Sequence, residues 1–288
     1  MTASISQSTH VMPKRRFFQS RPHWTTVFAL MIIVGFIGVA VFAPLIAPVE
    51  PTRINPMVRL QDSSIHYWLG TDSYGRDIFS RLAYGARVSL LVGAGSTLGA
   101  LIIGLPLGLI AGWFPRIDTV LMRMMDALMA IPGILLAIAI VALTKASLLT
   151  LIIAIMLPEI PQVVRLVRSR VLATVSEPYV QASILLHTPT LRLICRHLLP
   201  ATVAPLIVQA TFIYAAAILT EAALSFLGVG LGTEIPSWGN MMAEGRVYFA
   251  MKPWLIFWPA LALSLCILSI NLLGDALRDR LDPKLKGR

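Results

Sequence analysis

Six stretches of this chain are long and apolar enough to cross a lipid bilayer, and they restrict the fold severely. A bilayer core offers no water to backbone N–H and C=O groups. A spanning segment must pair them within itself, and about 20 residues of α-helix do so. The stretches cover residues 25–46, 88–113, 122–143, 148–167, 201–225 and 253–273. Composition agrees: 57% of the 288 residues are hydrophobic and 13% charged, where a soluble domain carries roughly 25% charged residues. The predicted fold class is an all-α polytopic membrane protein with six transmembrane helices. Lys14, Arg15, Arg16 and Arg21 precede the first stretch. Its apolar core is too long for a signal-peptide h-region and no small-x-small site precedes Pro48, so it is expected to stay as an anchor.

Charge sets the expected orientation. Positive residues collect on cytoplasmic loops. With the N-terminus inside, the cytoplasmic parts hold the N-terminal cations, Arg116, Arg123, Arg165, Arg168, Arg170, Arg192, Arg196 and the cations from Arg278 to Arg288, most of the 24 Lys and Arg. Both termini are therefore expected in the cytoplasm. This distribution accounts for the net charge of +10 without nucleic acid, since no basic patch interleaved with aromatics occurs. Cys195 lies in a polar loop and Cys266 in an apolar run, so no disulfide is expected between them.

The polar segment 179–200, YVQASILLHTPTLRLICRHLLP, falls between spans four and five on the cytoplasmic side. Ser176 is read as an N-cap, with Glu177 and Pro178 in the first turn of a helix running to about Leu186. Thr188 is read as a second N-cap with Pro189 at N1. Leu191, Ile194 and Leu198 then share one face, and Arg192 and Arg196 form a basic row on another. The hinge at His187 calls for a tight backbone with positive φ. Such a unit has the form of a docking device.

The segment resembles the cytoplasmic loop of permease subunits in binding-protein-dependent ABC importers. That loop reads Glu-Ala-Ala, three residues, Gly, nine residues, then Ile-x-Leu-Pro. Gln181, Ala182 and Ser183 stand in the Glu-Ala-Ala places, His187 at the Gly, His197 at the Ile, and Leu199 and Pro200 at the end. A second block, HYWLGTDSYGRDIFSRLAYGARVSL over 66–90, resembles the signature of the dipeptide, oligopeptide and nickel permease subfamily. Read physically, it is an amphipathic helix along the outer surface, with Ile78, Phe79 and Leu82 on one side and Arg76, Asp77, Ser80 and Arg81 on the other. Asp126 with Ala130-Ile131-Pro132, the run from Leu224 to Gly230 with Trp238-Gly239, and the stretches Asn271 to Asp279 and Leu281-Asp282-Pro283 resemble the same subfamily.

The resemblance implies an ABC transporter type-1 transmembrane domain. The expected layout is a cytoplasmic tail (1–24), a first helix (25–46), a periplasmic segment with an interfacial helix (47–87), the transmembrane domain (88–275) and a cytoplasmic tail (276–288). The domain includes a coupling loop (168–200) and a periplasmic loop (228–252). It also implies a homologous second permease, two cytoplasmic ATPase subunits docked on Gln181, Ala182, Ser183, His187, His197, Leu199 and Pro200, and a periplasmic solute-binding protein. ATP and Mg would sit on the ATPases, with no cofactor on this chain. The implied cargo is peptide, with nickel as the rival within the subfamily.

The residues alone exclude several chemistries. No Gly-x-x-x-x-Gly-Lys-Ser/Thr loop occurs, so ATP hydrolysis is not expected here. The five histidines, His10, His23, His66, His187 and His197, form no metal-ligand spacing. No nucleophile elbow or catalytic carboxylate pair is present. Gly104, Gly108 and Gly112 line one helix face for close packing. Among intramembrane acids, Asp126 is placed to pair with Arg123. Glu159 lies between Pro158 and Pro161, where a helix break is expected. Glu221 is a candidate for a translocation path or an intersubunit contact. The competing class, an ion-coupled secondary transporter, would explain six spans without ATP.

Overall fold

The computed structural model describes residues 24–281. The terminal cations Lys14, Arg15, Arg16, Arg21, Lys284, Lys286 and Arg288, and the Asp282-Pro283 end motif, lie outside the described residues. Among the described residues every regular element is a helix, apart from an isolated bridge between Thr71 and Asp77. Five helical segments are long and apolar enough to cross a membrane, or six if one bent pair counts as a single span.

Helix α1 (Trp24–Ile46) lies on the outside of the bundle and turns only Ala29, Ala40 and Ala43 fully inward. Helix α2 (Ile78–Trp113) runs 36 residues. Asp77 caps it, Oδ2 accepting from the Ser80 amide at 2.8 Å and from the Ser80 hydroxyl at 2.6 Å. The separate interfacial helix expected before span two is therefore the opening turns of α2 itself. Arg76, Asp77, Ser80 and Arg81, expected on a wet face, are buried.

The third span also differs from expectation. It is two helices, α3 (Pro115–Met129) and α4 (Gly133–Leu143), meeting at 83°. Pro132 disfavours helical backbone at Ile131, and the chain turns there. Helix α3 packs Met125 into the core. The fourth span behaves in the opposite way. Pro158 and Pro161 tighten α5 (Leu148–Met156) into one 3-10 turn, Leu157–Glu159, and α6 (Ile160–Val175) follows as part of the same 28-residue span. Both prolines sit in first-turn positions, where a missing N–H costs nothing.

Helices α7 (Pro178–Leu185) and α8 (Thr190–Leu193) form the polar loop. A π-helical turn, Ile194–Leu198, joins α8 to α9 (Leu199–Phe226) without a break. The widened turn precedes Pro200, whose ring cannot fit a regular α-helical ladder. Helix α10 (Trp238–Gly245) is capped by Ser237, and α11 (Trp254–Leu281) closes the bundle.

The core forms where α2 meets α5 and α6. A Cβ added at Gly104, Gly108 or Gly112 would come within 2.7, 2.5 and 2.6 Å of the Cβ of Val163, Val167 and Val171. Gly95 and Gly99 meet Ile152 and Met156 in the same way. Glycine on one helix against β-branched residues on the next lets two backbones approach closely. The same buried cluster contains Val180, Leu193 and Leu198 of the polar loop.

Candidate functional site

The loop unit starts where α6 stops. Ser176 ends α6 rather than capping α7. Its hydroxyl donates to the Ala173 carbonyl, and Glu177 takes the N-cap position of α7 without a side-chain bond. Gln181 Nε2 donates to the Val175 carbonyl at 2.7 Å, so Gln181 pairs a carbonyl left open at the end of α6. Val180 is fully buried between these elements.

Helix α7 ends in a Schellman motif. The Thr188 amide donates to Ser183 O at 3.2 Å and the His187 amide to Ile184 O at 2.9 Å. His187 has φ 55°, the left-handed geometry that the sequence spacing called for. Thr188 does not cap α8; Pro189 holds that position with no side-chain bond. The π-turn then shifts the phase of the apolar face. Leu193 and Leu198 are buried, whereas Leu191, expected beside Leu198, is 74% exposed.

The two halves of the loop are tied together. Ser183 Oγ lies 3.4 Å from His197 Nε2, and the Tyr179 and His197 rings sit with centroids 5.8 Å apart. Leu199 and Pro200 open α9 and stand apart from the loop tip. Around the His187 tip, Leu185 and Leu186 are about four-fifths exposed, at 78% and 81%. Gln181, Ala182, Arg192 and Arg196 are exposed as well. The loop thus exposes two adjacent leucines at its tip and two arginines further along, above the buried Val180, Leu193 and Leu198.

The opposite end carries the 66–90 block. Its charges form a buried network. Asp72 Oδ2 lies 2.6 Å from Arg76 Nε and 2.5 Å from Arg81 Nη1. Glu244 Oε2 lies 2.5 Å from Arg76 Nη2 and 2.7 Å from Arg81 Nη1. Two carboxylates and two guanidiniums cancel in charge, which makes their burial tolerable. Trp238 Nε1 donates to the Leu82 carbonyl at 3.1 Å, and Asn240 Nδ2 reaches the carbonyls of Leu231, Gly232 and Ile235. Lys252 pairs with Asp62. The block thus locks the segment before α2 to the segment between α9 and α11. Glu244 carried no signal in the sequence, because its partners lie more than 160 positions away.

The intramembrane acids are placed differently from expectation. Asp126 pairs with Arg165 at 2.6 Å, not with Arg123, and Asp118 forms a two-pronged pair with Arg168 at 2.5 and 2.6 Å. Glu221 is fully buried inside this chain's own helices, accepting from Ser89 Oγ at 3.1 Å and Ser225 Oγ at 2.9 Å. Gln162 and Gln209, which carry no motif in the sequence, meet across α6 and α9.

Comparisons with known proteins bear on the whole chain. The family model described as binding-protein-dependent transport system inner membrane component matches residues 104–287. The chain is 44% identical over 282 residues to the dipeptide transport system permease protein of Alkalihalophilus pseudofirmus, covering 97% of this chain and 93% of that one. It is 49% identical over 249 residues to a probable peptide ABC transporter permease protein of Sinorhizobium fredii, covering 86% and 85%. Among solved structures, the inward-facing MetNI methionine ABC transporter matches with a TM-score of 0.59 at 18% identity, over 71% of this chain and 98% of that chain. At that identity the likeness is one of fold.

Proposed function

The chain belongs to the binding-protein-dependent transport system inner membrane components, and from that membership we propose that it is the permease subunit of an ATP-driven peptide importer. It is a multi-pass transport protein of the inner membrane, built on the type-1 ABC transmembrane fold. In this reading it forms half of the pathway and a homologous permease forms the other half. Two ATPase subunits, which bind ATP and Mg, dock on the 179–200 loop from the cytoplasm. A periplasmic solute-binding protein delivers peptide at the opposite end. Both termini lie in the cytoplasm in this reading, which the distribution of basic residues supports.

The observation that carries the proposal is the loop's construction. Its exposed tip rests on Val180, Leu193 and Leu198, which share one buried cluster with the α2–α6 interface. A push on the tip is therefore transmitted as rigid-body motion to α6 and α9, with little lost in local bending. The peptide assignment follows the two sequence relatives, which are named for dipeptides and peptides. Nothing comparable supports nickel or an ion-coupled mechanism.

The test is reconstitution. A pair of ATPases is expected to co-purify with this chain and its partner permease, and peptide uptake into proteoliposomes should require ATP. Uptake driven by an ion gradient without ATP would refute the proposal. Within the complex, Ala182→Arg is expected to leave ATP hydrolysis running while uptake fails, because Ala182 is small and exposed beside the tip. Wild-type uptake by that variant would remove Ala182 from the docking surface.

A further inference from the structure

One face of α6 is polar from Gln162 to Ser169. Gln162, Arg165 and Ser169 recur at i, i+3 and i+7, and all three are exposed. Glu159 precedes Gln162 by three positions in the same span and is half-buried. Hydrocarbon cannot satisfy an amide, a guanidinium or a carboxylate, so this face adjoins water or polar protein. Helix α9 brings Gln209 to the same place, its Nε2 donating to Gln162 Oε1 at 3.3 Å. Glu159 lies about 16 Å along the span from Leu148, close to half the ~30 Å thickness of a bilayer core.

The chemistry left over after that bond is specific. Each glutamine amide spends one group on the other. The pair keeps one free NH2 and one free carbonyl whichever way the two amides are oriented. A free donor beside a free acceptor matches the C=O and N–H of a peptide backbone. Among the described residues no cation pairs with Glu159; the neighbouring arginines Arg165 and Arg168 are paired with Asp126 and Asp118. A carboxylate one turn from the glutamines therefore remains for the ammonium at a peptide's amino end.

We propose that Glu159, Gln162 and Gln209 form a peptide contact point midway along the pathway, with Glu159 taking the substrate ammonium and the glutamine pair taking one backbone amide. This rests on the peptide-importer reading above. It adds a point of substrate contact on the permease itself.

The experiment uses the complete complex in proteoliposomes, with loaded binding protein and radiolabelled dialanine. Glu159→Gln is expected to cut uptake roughly tenfold, the scale of one lost charge-assisted hydrogen bond. ATP hydrolysis stimulated by loaded binding protein should stay within about twofold of wild type, since the docking surfaces are untouched. In a Cys195→Ser background, Gln162→Cys and Gln209→Cys should both react with a water-soluble maleimide. Unchanged uptake by Glu159→Gln overturns the proposal, as does joint loss of uptake and stimulated hydrolysis. So does failure of both cysteines to label, which would place this face inside a subunit contact. A wild-type complex that hydrolyses ATP yet takes up no dialanine would instead refute the peptide reading itself.

Discussion

At the scale of single residues, backbone geometry explains positions where side-chain chemistry does not. His187 occupies the left-handed C′ site of a Schellman motif, with φ 55°. Glycine is at ease there, and a Cβ adds strain on the order of 1 kcal/mol. His187→Gly is therefore expected to assemble normally and to raise thermal stability slightly, whereas His187→Val should reduce the yield of complex, as read by size-exclusion chromatography in detergent. Gly75 is the stricter case. Its φ is 76°, and a Cβ would lie 1.8 Å from the Asn55 carbonyl oxygen. Gly75→Ala must displace backbone and is expected to cost about 2–4 kcal/mol, measured as a lower thermal midpoint. The sequence shows that these residues are glycine or histidine. Only the folded backbone shows that one position accepts a side chain and the other does not.

At the scale of elements, the dominant interface is glycine against valine. A Cβ placed on Gly108 would lie 2.5 Å from Val167 Cβ and 2.9 Å from the Val164 carbonyl oxygen. A carbonyl inside a helix cannot move aside, so Gly108→Leu should force α2 and α6 apart. The expected result is a loss of at least about 3 kcal/mol and little folded protein in a thermal-shift assay. Gly→Ala at Gly35 of α1 should be silent by the same assay, because nothing lies within 4 Å of it. The four-residue glycine spacing was readable as a close-contact face from the sequence alone. Which helix it would meet was not, since Val163, Val167 and Val171 have the same spacing as many apolar runs here. The bend between α3 and α4 was also hidden. Pro132 marks a change of direction, while Pro158, Pro161, Pro200 and Pro205 leave their spans continuous.

At the scale of the molecule, two ends are built by different means. The 179–200 end is fastened by apolar burial, and its tip is left bare. The other end is fastened by Asp72, Arg76, Arg81 and Glu244, with side chains 2–12% exposed. Removing one partner from such a network leaves an unpaired buried charge. Glu244→Ala is therefore expected to destabilise by about 3–5 kcal/mol, with limited proteolysis cutting first near 228–252. Replacement by Gln should cost less than Ala, since its one carbonyl oxygen can still accept from the guanidiniums. By itself, the sequence determined the helical class, the number of apolar stretches, the left-handed hinge and the family, because each depends on local pattern or on residues close together in the chain. Tertiary structure alone decided that the 66–90 charges are a buried lock rather than a wet helix face. It also sealed Glu221 inside with Ser89 and Ser225, and set Gln162 against Gln209. The physical reason is shared: whether a polar group is buried, paired or open depends on partners brought from distant parts of the chain, and local pattern carries no record of them.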